Sequence, residues 1–330
     1  MTGRKGCWSV VGIFLLLGSG YLIWAYVSYT SGRGVPLVSK KVKGSYYSLG
    51  FSLSDHPLKW DVEQIQIYGK HQISTGKPSL LADPFVWIEN ETTYVFYEHV
   101  KDEKSRGADI GLLSSRDRKT WHYEGIVLDE SRHISYPLVF KEGGQFYMVP
   151  ETQRLNEVRL YTTTAFPKQW FFKKTLISKA RLADPTIIKH DQHWYIFAGD
   201  SEQKICRLYH SKNLEGDWSE HSASPILSHA AFYRPGGRIL NVDGQLVRLV
   251  QDQRGGYGRR LHAMLIEELS PTTYSEKFYE GNPVLENHGT GWAKHGMHHL
   301  DAVQLKDGEW FGVCDGLGFG EARFVLDFEF

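Results

Sequence analysis

Residues 82–98 read ADPFVWIENETTYVFYE. An acid against a proline opens a short apolar strand, a polar cluster at residues 89–92 turns the chain, and an aromatic strand closes on Glu98. Apolar positions alternating on either side of turn-forming residues predict a β-hairpin. The chain then repeats it, as SYPLVFKEGGQFYMVPE over residues 135–151 and ADPTIIKHDQHWYIFAGD over residues 183–200. Two further copies are YRPGGRILNVDGQLVRLVQD over residues 233–252 and HLDAVQLKDGEWFGVCD over residues 299–315. Pro84, Pro137, Pro185 and Pro235 are spaced by 53, 48 and 50 residues. A period of about 50 residues with several short strands per unit is the signature of a β-propeller. The expectation is an all-β, five-bladed β-propeller, its blades starting near residues 83, 136, 184, 234 and 301.

The remaining sequence divides around that ring. Residues 8–29, WSVVGIFLLLGSGYLIWAYVSY, are free of charge, and about 20 apolar residues cross a bilayer as a helix. Trp8, Trp24, Tyr26 and Tyr29 stand near its ends, where amphipathic rings favour the headgroup layer. A cleaved signal peptide would have a shorter apolar run and a small-residue cleavage site. We therefore expect a single N-terminal transmembrane helix acting as signal anchor, after a cytosolic tail at residues 1–7. The propeller would then lie on the non-cytosolic side of the membrane. Residues 30–58, rich in Ser, Gly and Lys, read as a stalk, and residues 59–330 as the propeller. The alternating stretch WDVEQIQIY at residues 60–68 is expected to close the last blade beside residues 322–330, because an open blade leaves an unpaired edge. Trp121, Trp170 and Trp218 recur at one place in three blades and read as packing between blades. The sequon Asn90-Glu91-Thr92 falls on a hairpin turn.

Thirty-eight basic and 38 acidic residues leave no net field, so no nucleic-acid partner is expected. Three cysteines are too few for a disulfide framework, and Cys206 and Cys314 belong to different blades. A nucleophile elbow, a phosphate-binding loop and a dinucleotide fingerprint are all missing, so no cofactor is expected. His295, His298, His299 and Asp301 lie close in sequence, yet no second ligand cluster accompanies them, so no metal is expected either.

Chemistry is expected where the blades meet. Innermost strands line the channel, so their opening residues, Asp83, Tyr136, Asp184, Arg234 and Asp301, should face one funnel. The second strands close on Glu98, Glu151, Asp200, Asp252 and Asp315, 14 to 18 residues further on. A hairpin brings both sets to one mouth, with His298 and His299 among them. Crowded carboxylates raise one another's pKa, which lets one acid stay protonated beside a charged neighbour, as glycoside chemistry requires. Asp83, Glu151 and Asp184 are the candidate catalytic residues. Glu98, Tyr136, Arg234, Asp252, His298, His299 and Asp301 are candidate substrate-binding residues. Asp200 and Asp315 read as hydrogen-bonding punctuation at strand ends. Arg234, Arg238 and Arg254 offer forks for an anionic group, or counter-charge for the acids. Tyr136, Tyr233 and Tyr257 could stack on pyranose faces.

The combination ADPF…YVFYE, DIGLLSSRD, SYPLVF…YMVPE, ADPTI, YRPGGRI, QDQRGGYGR and GMHHLDA resembles the amino-terminal domain of glucosamine inositolphosphorylceramide transferases, over about residues 75–316. That domain is itself similar to the five-bladed propellers of glycoside hydrolase families 32, 43, 68 and 130. In the plant transferases sugar transfer is attributed to a separate carboxy-terminal domain, so the family name does not by itself carry the activity. The resemblance to the hydrolases implies that Asp83 matches their nucleophile or base, and Asp184 their stabilising, pKa-tuning Asp. Their acid, a Glu opening blade four, is replaced by Arg234. Either Glu151 or Glu98 supplies the proton, or a phosphosugar is gripped by Arg234, or the domain only binds glycan. The expected function is cleavage or transfer of a glycosidic bond on a glycan or glycolipid. The alternatives are a glycan-binding or assembly module and a protein-interaction propeller.

Overall fold

The computed structural model describes residues 46–75, 78–101, 107–226, 231–254, 256–287 and 291–318, together with Tyr21, Trp24 and the backbone of strands Val38–Lys43 and Glu321–Leu326. The anchor expected at residues 8–29 thus lies outside the described residues, Tyr21 and Trp24 apart. Among the described residues no helix is long and apolar enough to cross a membrane.

Five antiparallel sheets form the blades of a propeller. Blade 1 holds Leu80–Glu89, Thr92–Val100, Ala108–Ser115 and His122–Leu128 in sequence order. Blade 2 holds Ser135–Glu142, Gln145–Glu151, Glu157–Ala165 and Lys168–Ser178, and blade 3 Leu182–His190, His193–Asp200, Ile205–Ser211 and Ser219–Glu220. Blade 4 holds Leu240–Val242, Gln245–Asp252, Arg260–Leu269 and Tyr274–Phe278, with Leu285–Glu286 pairing the start of Arg260–Leu269. Four of the five founding hairpins turn through two residues that both have positive φ: Asn90 and Glu91, Gly143 and Gly144, Asp191 and Gln192, Asp243 and Gly244. This is the mirror-image turn whose twist matches that of paired strands, and Asn, Asp and Gly tolerate it best.

Blade 5 corrects the expected closure. Its order is Leu300–Gln304, Trp310–Gly318, Tyr46–Ser54 and Gln66–Tyr68. Tyr46–Ser54, in a stretch read as stalk, pairs along its whole length with Trp310–Gly318. Residues 60–68 contribute only the outermost strand Gln66–Tyr68, after a turn at Val62–Gln64. Glu321–Leu326 leaves the ring and pairs with Val38–Lys43. The glycine that made YYSLGFSLS look like linker is a packing residue: a Cβ on Gly50 would stand 2.6 Å from Ile65 and Trp292 and 2.9 Å from Cys314.

The core lies between blades. Trp121 of blade 1 packs on Phe51 of blade 5, ring centroids 4.3 Å apart, and Trp170 of blade 2 meets Phe96 of blade 1 at 5.9 Å. Trp218 packs against a cluster shared by blades 2 and 3 that includes Leu138, Val149, Leu182 and Ile196. In the channel, Arg238 of blade 4 donates from Nε to Asp301 Oδ1 (2.9 Å) and from Nη1 to the Val139 carbonyl (2.9 Å), while Asp301 Oδ2 accepts the Val86 amide (2.9 Å). One ion pair thereby ties four blades. Cys206 and Cys314 are both free and buried.

Candidate active site

The first strands of blades 1, 2 and 3 slip register at one place, between Ala82 and Phe85, Ser135 and Leu138, and Ala183 and Thr186. Proline has no N–H to continue the ladder, and a bulge there re-aims the preceding side chain. Asp83, Tyr136 and Asp184 accordingly take φ of 50°, 50° and 52°. A non-glycine residue in that region costs on the order of 1–3 kcal/mol and persists only where its surroundings enforce it. The enforcing bonds cross between blades. The Asp83 amide donates to Asp315 Oδ2 of blade 5 at 3.0 Å, and the Asp184 amide to Glu151 Oε2 of blade 2 at 3.0 Å. An acid on one blade's second strand thus holds the bulge of the next.

These bonds gather the catalytic candidates on one face. Asp184 accepts Arg234 Nε at 2.7 Å and Gln251 Nε2 at 2.8 Å on the same oxygen, and Arg234 Nη2 lies 3.6 Å from Glu151 Oε2. Burial first, and then the charge of Asp184, pushes the Glu151 carboxyl up to about 8, with Arg234 opposing. Burial likewise pushes Asp83 up to about 7, against the pull of His298 and with Asp184 and Asp315 adding to the rise. Glu98 is also raised, by burial and then by Asp83 and Glu151, and its Oε1 stands 3.4 Å from His133 Nε2.

His298 Nδ1 lies 2.7 Å from Asp315 Oδ1, and its Nε2 lies 3.1 Å from the Tyr257 hydroxyl and 3.7 Å from Asp83 Oδ1. Burial alone would lower this imidazole, but the charge of Asp315 and the hydrogen bond to it carry it upward. For Asp315, burial works the other way and is outweighed by His298, so that carboxyl sits below the usual range. Half-exposed Tyr257 also lies beneath the Arg234 guanidinium, 5.2 Å from its ring centroid.

Other candidates serve the frame. Tyr136 is fully buried, and its hydroxyl accepts the Gly237 amide at 2.7 Å and meets Thr186 Oγ1 at 2.7 Å. Asp301 is taken by Arg238 in the channel. Asp252 accepts both Arg254 Nε and Nη2 at 2.9 Å; burial would raise it, but His262, its Nε2 3.4 Å away, and the bonds from Arg254 bring it down. All three arginines therefore face acids. Asp200 accepts the Glu202 and Gln203 amides, as punctuation, whereas Asp315 does that work and also carries His298. Gln251 is a site residue that sequence reasoning missed, Asp315 was read only as punctuation, and Tyr257 was named only as a ring that could stack on a sugar. The recurrence of strand-end acids had marked Asp315, whereas no pattern in the sequence singles out Gln251.

Among the described residues Asp83, His298 and Asp315 each present one donor atom within 4.8 Å of the others. The His298 Nδ1 bonded to ionised Asp315 carries hydrogen, which leaves Nε2 as the ring nitrogen free toward Asp83, and the three groups are joined as a hydrogen-bonded network. The site can hold a proton on one acid beside a charged second acid, with a cation fixed between two of its carboxylates.

The family model for the amino-terminal region of glucosamine inositolphosphorylceramide transferase 1 matches residues 53–317. The transferase 1 of Oryza sativa subsp. japonica is 36% identical over 252 residues, covering 73% of this chain and 34% of the rice protein. That of Arabidopsis thaliana is 33% identical over 268 residues, covering 78% of this chain and 35% of its own length. The chain thus spans about a third of the length of these relatives. Among solved structures, a thermostable family-43 glycoside hydrolase superposes with TM-score 0.53 at 15% identity, covering 76% of this chain and 95% of that one. The catalytic domain of a Coprinopsis cinerea GH62 α-L-arabinofuranosidase gives TM-score 0.55 at 13% identity, covering 81% and 97%. These likenesses show the fold. The matched family, which takes in most of the ring and its bulge acids, decides the assignment: the chain belongs to the family of glucosamine inositolphosphorylceramide transferase 1 amino-terminal domains.

Proposed function

We propose that this propeller is a membrane-anchored enzyme that cleaves or transfers a glycosidic bond of a glycan or glycolipid. The observation that carries the reading is that two buried carboxyls, Glu151 raised to about 8 and Asp83 to about 7, both feel the charges of Asp184 and Arg234, which are themselves ion-paired at 2.7 Å. At neutral pH Glu151 holds its proton and acts as the acid toward the leaving oxygen. Asp83, near its midpoint, is the base or nucleophile. Asp184 stays paired with Arg234 and supplies negative charge opposite the oxocarbenium-like centre. The names of the relatives and the fold of the hydrolase neighbours support carbohydrate as the substrate class. The charge-free run at residues 8–29 supports a single-pass anchor with the propeller on the non-cytosolic side.

The test is a screen of the full chain in detergent against glycans and activated glycosides, beside Asp83→Asn and Glu151→Gln. Each variant should lose at least about 10²-fold in turnover, the scale of general acid–base catalysis. A second reading, a glycan-binding module, is favoured by Arg234 standing where the hydrolase propellers carry their acid. Glycan binding preserved in Asp83→Asn, with no turnover of any glycoside by the parent, would establish that reading instead.

A further inference from the structure

Asp83 lies between two histidines that the fold treats in opposite ways. The His299 Nε2 lies 2.9 Å from the Pro84 carbonyl. A carbonyl only accepts, so Nε2 carries the hydrogen and Nδ1 is a bare lone pair. That lone pair is buried, has no partner, and faces Asp83 Oδ1 at 3.9 Å. Burial holds this ring neutral, with its pKa lowered to about 4, and a lone pair opposite a carboxylate gives no stabilisation.

His298 is arranged the other way round. Asp315 Oδ1 accepts both the His298 amide (3.2 Å) and the ring Nδ1 (2.7 Å), which places the hydrogen on Nδ1. The ring is held flat against Tyr47, centroids 4.6 Å apart and planes 22° apart. Its exchangeable end, Nε2, is therefore aimed at Asp83 and at the Tyr257 hydroxyl. The gap of 3.7 Å to Asp83 Oδ1 is one small side-chain rotation, or one bridging water, from a hydrogen bond. The charged and titratable groups around His298 are Asp315 and His299 of blade 5, Asp83 of blade 1, Arg234 of blade 4, Tyr257 beyond that blade's second strand, and Tyr47 of the closing strand. Arg234 disfavours a charged ring, while Asp315 and Asp83 favour it.

We propose that Asp83 and His298 form one proton-holding unit, in which Asp315 fixes the imidazole and Nε2 receives the proton that Asp83 takes from the attacking hydroxyl. This rests on the reading of Asp83 as the base. As the attacking oxygen bonds to the anomeric carbon, its proton passes to Asp83 and on to the Nε2 lone pair, making an imidazolium between two carboxylates. Glu151 gives its proton to the leaving oxygen, which keeps the electron pair of the broken bond. His298 then releases one proton to solvent and Glu151 takes one up, so none is consumed. His298 is thus a positioning residue for Asp83 and need not touch substrate.

The test is the ring-nitrogen NMR of the full chain labelled with ¹⁵N-histidine, followed against pH. His298 should keep hydrogen on Nδ1 throughout and titrate at Nε2 above the ordinary histidine value. Asp83→Asn should lower that midpoint by about 1 pH unit or more, the scale of a lost neighbouring charge. Asp315→Asn should change the tautomer. In a turnover assay His298→Gln should cost roughly 10²-fold and move the acidic limb of the pH profile. A His298 midpoint unmoved by Asp83→Asn, or a neutral ring with hydrogen on Nε2, overturns the proposal. The spectrum needs no substrate. Coupled titration without turnover of any glycoside would remove the enzymatic reading and leave the proton pair standing. Turnover with an indifferent His298 would do the reverse.

Discussion

Arg234 Nε stands 2.7 Å from Asp184 Oδ2 and its Nη2 3.6 Å from Glu151 Oε2, so one guanidinium from blade 4 serves carboxylates of blades 3 and 2. Arginine stays protonated in proteins and cannot act as an acid, so its part in this cluster is electrostatic. Removing one partner of a buried pair typically costs about 3–5 kcal/mol, because the other charge is left uncompensated. Arg234→Met should lower stability by that order, read as the midpoint of denaturant unfolding. Arg234→Lys should recover only part, since an ammonium cannot reproduce the planar fork. An Arg234→Met protein as stable as its parent would show that the pair does not hold the funnel together.

The raised carboxyls make stability depend on pH with a definite sign. Glu151 has an ordinary value of 4.5 and a folded value of about 8, so the folded chain binds its proton more tightly. Stability should fall as pH rises across that window, by about 1.4 kcal/mol per pH unit for one fully coupled group. Asp83 adds to the fall between 3.8 and about 7. Asp315 and Asp252 are lowered in the fold, so their contribution is present above the ordinary carboxylate value and lost in acid. Maximum stability should therefore lie at mildly acid pH, and Glu151→Gln should flatten the upper limb of a plot of unfolding free energy against pH. Equal slopes for parent and variant would count against a buried, protonated Glu151.

Tyr136 and Gly237 lock the channel where blades 2, 3 and 4 meet. A Cβ on Gly237, at φ 149°, would stand 1.8 Å from the Leu300 carbonyl oxygen, so Gly237→Ala should prevent folding. Gly143→Ala, at φ 56° with no atom within 4 Å of the new Cβ, should cost only about 1–2 kcal/mol. Tyr136→Phe leaves the buried Gly237 amide without its acceptor, a loss of about 1–3 kcal/mol in unfolding free energy. Circular dichroism melts of the three variants check the order.

Closure of the ring can be tested by shortening the chain. Removing residues 1–45 leaves the pairing of Tyr46–Ser54 with Trp310–Gly318 intact, and the product should melt cooperatively. Removing residues 1–57 opens blade 5 along that strand, and the product should lose its cooperative transition and become sensitive to limited proteolysis. A stable protein from the second truncation would contradict the observed blade.

Four of the five hairpins were legible because a two-residue turn between alternating strands is a local code, written in Asn90-Glu91, Gly143-Gly144 and Asp243-Gly244, and the fifth because its strands still alternate about a polar turn. The same repeat is what marked Asp83, Glu151 and Asp184 as candidates, since they sit at fixed places in it. Blade 5 was not, because Gly50 and the serines of Tyr46–Ser54 look like linker until their neighbours are known. Nor was the contrast between His298 and His299, adjacent in sequence and opposite in role.

What the sequence alone determined is the repeat and the types of residue at its strand ends, because β-hairpins are built from contacts between near neighbours. The tertiary structure decided which acid is pushed up by burial, which histidine turns its Nε2 toward Asp83 and which its Nδ1, and which strand closes the circle. Those properties depend on burial and on charges brought together from residues more than two hundred positions apart, as when Asp315 receives the amide of Asp83. No local pattern encodes them.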